Sequence, residues 1–117
     1  MTAALLLCSC TEKIKKEQES FSSVDLIGKW CVDNSQEYWR YDSDGTGLTW
    51  DESQDVHEDD ETTGKFKWIL DGDMLQHIFT GDEVNQAVVQ DYTLISLNSS
   101  VLRWNDGLKN VTLHKVN

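Results

Sequence analysis

Residues 36–51 have the sequence QEYWRYDSDGTGLTWD. Two short runs rich in aromatic residues flank the pair Asp44-Gly45. Asp-Gly is a strong signal of a tight β-hairpin, because a type I′ turn needs positive φ at both of its central residues. This stretch therefore predicts two antiparallel strands, at 36–42 and 46–51, and an all-β fold.

The same turn signals recur along the chain. Asp-Gly returns at residues 71–72 and 106–107, with weaker signals at 81–82 and 98–99. The runs between them predict eight strands, at about 26–32, 36–42, 46–51, 62–70, 73–80, 86–97, 100–104 and 108–116. Nowhere do ten residues keep the 3.6-residue period of an amphipathic helix. Because closure would remove both exposed sheet edges, we expect an eight-stranded antiparallel up-and-down barrel.

Composition limits the classes of function. The chain has 117 residues, with 21 acidic against 10 basic side chains and a formal net charge of −11. This length suits one domain. The excess of negative charge argues against binding to nucleic acids or to anionic membrane surfaces. No apolar run approaches the roughly 20 residues of a membrane-spanning helix.

Alternation along the strands predicts which side chains point into the barrel. We expect the inner face to carry Leu26, Gly28, Trp30 and Val32 on the first strand, Leu48 and Trp50 on the third, Phe66, Trp68 and Leu70 on the fourth, and Leu102 and Trp104 on the seventh. On the second, fifth and sixth strands both faces carry apolar or aromatic groups, so the sequence leaves their orientation open.

The amino terminus has the sequence MTAALLLCSC. Residues 7–10, Leu-Cys-Ser-Cys, resemble a bacterial lipobox, which implies cleavage before Cys10 and a lipid on its sulfur. An ordinary secretory signal is the alternative. The predicted organisation is a signal-peptide remnant at 1–9, a lipidated Cys10 with a flexible tether at 10–23, and a barrel at 24–117. This organisation implies a lipid-anchored location in the bacterial cell envelope, at the outer membrane.

Gly28-Lys29-Trp30 resembles the Gly-x-Trp signature of the lipocalin, or calycin, barrels. Residues 38–50 and 66–68 resemble small lipocalin-like lipoproteins of Bacteroidetes. The resemblance implies that Trp30 fills the closed end of a barrel and that Gly28 allows a close approach. It also implies that a basic side chain of the last strand packs over Trp30, for which Lys109 and Lys115 are the candidates.

The aromatic side chains support two hypotheses. In the first, a small hydrophobic ligand binds inside the barrel. Its candidate ligand-binding residues are Trp50, Phe66, Trp68, Phe79 and Trp104. In the second, the same rings fill a solid barrel that meets an envelope protein or a glycan. The partner face would then be an exposed patch at Trp39 and Tyr41, or the acidic run at 51–61.

No motif indicates catalysis, a cofactor or a metal site. The acidic run at 51–61 matches no calcium-binding spacing, and we expect a mobile solvated loop there. The histidines lack the paired spacing of zinc sites, and His77 is expected as a hydrogen-bonded interior residue. Cys31 is expected as a packed thiol without a catalytic partner. The sequence therefore predicts a non-enzymatic protein without a cofactor.

Overall fold

The computed structural model describes residues 21–80 and 87–117. A one-turn helix, α1 (Ser23–Leu26), precedes the first strand. The strands are β1 (Gly28–Val32), β2 (Glu37–Tyr41), β3 (Thr46–Asp51), β4 (Gly64–Asp71), β5 (Met74–Thr80), β6 (Ala87–Leu97), β7 (Val101–Asn105) and β8 (Asn110–Val116). A 3-10 helix (Glu52–Gln54) lies in the connection between β3 and β4. The predicted lipidation at Cys10 lies outside the described residues.

Each strand pairs antiparallel with the next, and β8 pairs with β1. In that last pairing, Trp30 of β1 lies opposite Lys115 of β8. The predicted eight-stranded antiparallel up-and-down barrel is thereby confirmed. Within the described ranges, no helix has the length and apolarity needed to cross a bilayer.

The core lies inside the barrel. Its buried members are Leu26, Trp30, Trp39, Tyr41, Phe66, Leu75, Leu94, Leu102, Trp104 and Leu113, with Trp68, Leu70 and Phe79 packed against them. The predicted inner faces of the first, fourth and seventh strands are confirmed. On the second strand, the inner face carries Trp39 and Tyr41, which are 7% and 0% exposed. The predicted exposed patch at these two residues is therefore wrong, because both rings fill the interior.

The predicted orientation of the third strand is also wrong. Trp50 lies opposite Tyr38, on the outer side of the sheet, whereas Thr49 lies opposite the inward Trp39. At Gly47, the inner face of β3 has no side chain. A Cβ at Gly47 would collide with the ring of Phe66. The ring of Phe66, from β4, thus fills the space inside the barrel where the alternating pattern had placed Leu48 and Trp50 of β3.

Trp30 closes the barrel at the end next to α1. Its indole nitrogen donates a hydrogen bond to the carbonyl of Leu26 at 2.9 Å. The ammonium of Lys115 lies 4.7 Å from the centroid of the Trp30 ring and donates to the carbonyl of Ile27 at 2.9 Å. The expected basic side chain over Trp30 is therefore Lys115. The Trp30 indole, the Lys115 ammonium and the carbonyls of Leu26 and Ile27 thus form one packed and hydrogen-bonded unit.

Gly28 leaves room for that unit. Its φ is +131°, a backbone conformation that L side chains rarely adopt, and a Cβ there would lie 3.1 Å from Nζ of Lys115. Glycine at this position therefore serves two needs at once, since it accepts the backbone conformation and allows the lysine side chain to pass.

We expect Gly28→Ala to lower the free energy of unfolding by about 2–4 kcal/mol, through backbone strain and collision with Lys115. Urea unfolding measures the loss. Gly107→Ala is the matched control, because Gly107 also has positive φ, at +96°, but has no atom within 4 Å of a Cβ. An equal loss in the two variants would show that Lys115 contributes nothing to the requirement for Gly28.

Candidate functional site at the open end of the barrel

A depression of about 200 Å³ lies at the end of the barrel opposite α1. We call it the aromatic cup. It is lined by Val32, Glu37, Trp39, Tyr92, Trp104, Asp106, Lys109 and Val111. These residues come from β1, β2, β6, β7, β8 and the β7–β8 turn. The site therefore depends on closure of the barrel, which brings residues from both halves of the chain to one rim.

Three aromatic rings form the floor of the aromatic cup. The rings of Trp39 and Trp104 meet edge to face, with centroids 5.6 Å apart. Tyr92 packs against Trp104 at 4.7 Å. Trp39 and Trp104 are almost fully buried, while Tyr92 is partly exposed. The floor is therefore a packed aromatic layer, and Tyr92 provides most of the ring surface that a small ligand can reach.

His77 lies directly below the floor. Its ring stacks on Trp39 with centroids 4.7 Å apart and an interplanar angle of 22°. Its Nε2 is 2.7 Å from the hydroxyl oxygen of Tyr41, and the side chain has no solvent exposure. The expectation of a hydrogen-bonded interior histidine is confirmed. Because these rings are in contact, they fill the middle of the barrel, and the aromatic cup lies beyond them at its end.

Burial controls the protonation of His77. Removal from water lowers its pKa from 6.5 to about 3, since the low-dielectric interior penalises the imidazolium. Its Nδ1 has no hydrogen-bond partner among the described residues. At neutral pH His77 is therefore an uncharged packing ring.

The rim of the aromatic cup is mainly acidic. Glu37 accepts a hydrogen bond from the indole nitrogen of Trp39 at 2.8 Å. Backbone N–H groups of Lys109 and Leu108 donate to the carboxylate of Asp106 and lower its pKa. Burial raises the pKa of Tyr92 to about 12, with smaller contributions from Asp106 and Glu37. The hydroxyl of Tyr92 thus stays protonated at neutral pH, next to a negatively charged rim.

Of the five predicted ligand-binding residues, only Trp104 lines the aromatic cup. Phe66 and Phe79 lie deeper on the inner face, around His77. Trp68 points inward near the α1 end, where its indole donates to the carbonyls of Asp42 and Thr46. These four form part of one inner surface. Trp50 lies on the other side of the sheet and does not join them.

Sequence reasoning missed Tyr92, Glu37 and Asp106 as members of a site, and it placed Trp39 in an exposed partner patch instead of the barrel end. Trp39 and Tyr92 lie on strands whose two faces carry similar residues, so alternation could not orient them. Asp106 carried a signal only as a turn residue. The Asp106-Gly107 turn was recognised, but its position at the rim follows from the register of β7 and β8.

The acidic run is anchored to the outer surface of the barrel. Glu58 accepts hydrogen bonds from Nζ of Lys29 at 2.8 Å and from Nη1 of Arg40 at 2.9 Å. These bonds lower the pKa of Glu58. Trp50 stacks on Tyr38 with centroids 5.2 Å apart and is 5% exposed. Two cations thus contact the loop at Glu58 and join it to the sheet, and the mobility of the loop stays a prediction.

A second cluster of reactive residue types lies on the outer face. Cys31 pairs across strands with His114, and His114 Nδ1 is bonded to the carboxylate of Asp33. The Cys31 thiol donates to the carbonyl of Ser35 at 3.4 Å, and burial raises its pKa. A thiol held in its protonated form is a poor nucleophile. This electrostatic environment opposes catalysis at Cys31.

Among residues 21–80 and 87–117, no group of three or more histidine, cysteine or acidic side chains could hold a metal ion. Comparison with known proteins finds no matching family model, curated protein or solved structure. The interpretation of the aromatic cup therefore rests on its geometry and on the chemistry of its lining.

Because His77 is buried as a neutral ring, the folded state loses stability in acid. The unfolded chain takes up a proton below pH 6.5, which the folded state resists until about pH 3. We expect this residue alone to lower the free energy of unfolding by about 2 kcal/mol between pH 7.5 and pH 5. Urea unfolding of His77→Gln should show a pH dependence weaker by that amount.

The exposed His57 provides the control for the substitution itself, and His57→Gln should leave the free energy of unfolding at pH 7.5 close to that of the parent protein. An unchanged pH dependence in His77→Gln would contradict the assignment of His77 as a neutral interior residue.

Proposed function

We propose that this protein is a non-enzymatic binding protein of the bacterial envelope that holds a small, partly apolar ligand in the aromatic cup. The observation that carries the proposal is the cup itself, a concave volume of about 200 Å³. Its floor consists of Trp39, Tyr92 and Trp104. Aromatic floors with a few polar groups at the rim are typical of small-molecule sites.

The filled interior sets the size of the ligand. Trp39, His77 and Tyr92 are in ring contact below the cup, at centroid distances of 4.6–6.3 Å. A ligand cannot pass this layer without displacing buried aromatic rings, which would be costly. The volume is below the roughly 300–1,000 Å³ of sites for drug-sized molecules. We therefore propose a ligand of about one ring in size rather than a long lipid.

Lipocalin-like character and lipid anchoring form part of the same proposal. The Gly28–Trp30 signature and Lys115 over the indole support the first. The second is supported by the lipobox-like residues 7–10, with Cys10 as the lipidated residue. An N-terminal anchor followed by a charged tether would hold the barrel at the membrane surface.

A solid barrel that serves as an interaction module is the second candidate. It is favoured by apolar side chains on the outer face of β4, β5 and β6, where Ile69 and Val89 are each 51% exposed and Met74 is 39% exposed. Exposed apolar surface of this kind suits contact with a protein partner. A glycan partner is the other form of this candidate. Failure of small ring compounds to bind at the cup would favour this second function.

Filling the aromatic cup should abolish ligand binding. Val111 lies opposite Trp104 on the inner side of β8, so Val111→Trp places a bulky ring within the cup. We expect 2-phenylethanol to shift the indole N–H resonances of Trp39 and Trp104 in the parent protein, and to leave those resonances unchanged in the variant.

Val89→Trp adds the same side chain to the exposed outer face of β6 and serves as the control for the added indole. It should bind the probe as the parent does. Equal binding by Val111→Trp would contradict the location of the site.

Lipid anchoring at Cys10 has its own test. In a bacterial host that processes lipoproteins, Cys10→Ser should move the protein from the membrane fraction to the soluble envelope fraction, because the acylated sulfur is lost. Cys31→Ser, which alters a thiol within the barrel, is the matched control and should remain with the membranes. Membrane association of Cys10→Ser would overturn the anchor.

A further inference from the structure

The aromatic cup combines flat rings with carboxylates, and this combination has a definite electrostatic preference. Glu37 and Asp106 both line the cup, and both contribute to raising the pKa of Tyr92, whose ring lies in the floor. Among the described residues, neither carboxylate takes part in an ion pair. The two carboxylates accept hydrogen bonds from the Trp39 indole and from backbone N–H groups of the β7–β8 turn, which leaves each with its negative charge.

Aromatic faces favour the same sign of ligand charge. The ring quadrupole places negative charge on the face of Tyr92, the partly exposed ring of the floor, which attracts cations within about 6 Å of its centroid. This geometry already occurs at the other end of the barrel, where the ammonium of Lys115 lies 4.7 Å from the centroid of Trp30. The net charge of −11 adds a long-range attraction for cations.

One cation belongs to the rim. Lys109 lines the cup and is an exposed residue of the β7–β8 turn. Its backbone N–H donates to Asp106 at 2.9 Å, which ties the backbone rather than the ammonium to that carboxylate. Two carboxylates against one flexible ammonium leave the rim negative. The exposed lysine reduces the preference for a cation without reversing it.

We propose that the ligand of the aromatic cup is a small organic cation, an ammonium group carried on a body of about one ring. The ammonium lies between Glu37 and Asp106, and the apolar body lies on the floor formed by Trp39, Tyr92 and Trp104. This inference rests on the proposed function and gives the charge class of its ligand. The ammonium of Lys109, at the same rim, weakens the binding that the two carboxylates provide.

Calorimetric titration with a matched set of small molecules tests the charge class. The probes are 2-phenylethylamine, 2-phenylethanol, phenylacetate and phenylalanine, at pH 7.5 and low salt. We expect the amine to bind at least about tenfold more tightly than the neutral alcohol, with phenylacetate weakest. Added salt should weaken the binding of the amine and leave that of the alcohol unchanged.

Variants assign the charge preference to named side chains. Glu37→Gln and Asp106→Asn each remove a negative charge and keep a hydrogen-bond acceptor. Each should weaken the binding of the amine by about fivefold, with little effect on the binding of the alcohol. Asp71→Asn, at the other end of the barrel, is the control for net charge and should bind as the parent does. Lys109→Met should strengthen the binding of the amine by a few-fold, a gain that loss of folding cannot produce.

Each outcome bears on one of the two proposals. Equal binding of the amine and the alcohol would overturn the cation assignment and leave the binding site intact. Tighter binding of phenylalanine than of the amine would also overturn it, in favour of a zwitterion whose carboxylate pairs with Lys109. Binding of no probe, together with unchanged indole resonances, would remove the binding function itself.

Discussion

The contact between Trp30 and Lys115 is the constraint on which the rest of the molecule depends. It joins β1 to β8, caps the backbone carbonyls that leave α1, and seals one end of the barrel. An open eight-stranded sheet would expose two edges and one apolar face. Closure through this seam removes both edges, and Gly28 makes it sterically feasible. Every interior contact and the circular rim at the other end follow from it.

The interior then differs from that of a hollow barrel. Eight strands leave a centre just wide enough for side chains or for one small ligand. Here Trp39, His77 and Tyr92 take that space, and the aromatic cup lies at the end of the barrel. The cost is a buried histidine whose Nδ1 finds no hydrogen-bond partner in the described part of the chain. The gain is a rigid floor whose rings cannot collapse into a void when no ligand is bound.

The sequence was informative wherever local chemistry decides structure. Asp-Gly turns and one-sided strands located all eight strands and their antiparallel order. The same reasoning failed for β3. The alternating pattern uses only the residues of that strand, Leu48 and Trp50 among them, whereas the inner face of β3 is covered at Gly47 by Phe66 of β4. It also could not identify Glu37 and Asp106 as neighbours, because 69 positions separate them and only barrel register brings them to one rim. Long-range register is the information that turn signals do not contain.

Pairing between β1 and β8 has a consequence for biosynthesis. Lys29 lies opposite its strand partner Val116, which leaves the ribosome 87 residues later. Until then, the nascent chain presents an unpaired ribbon edge that could template intermolecular sheets. Such a topology folds slowly, because its decisive contact carries the largest loop-closure entropy. Closure of the barrel therefore has to wait until β8 has left the ribosome.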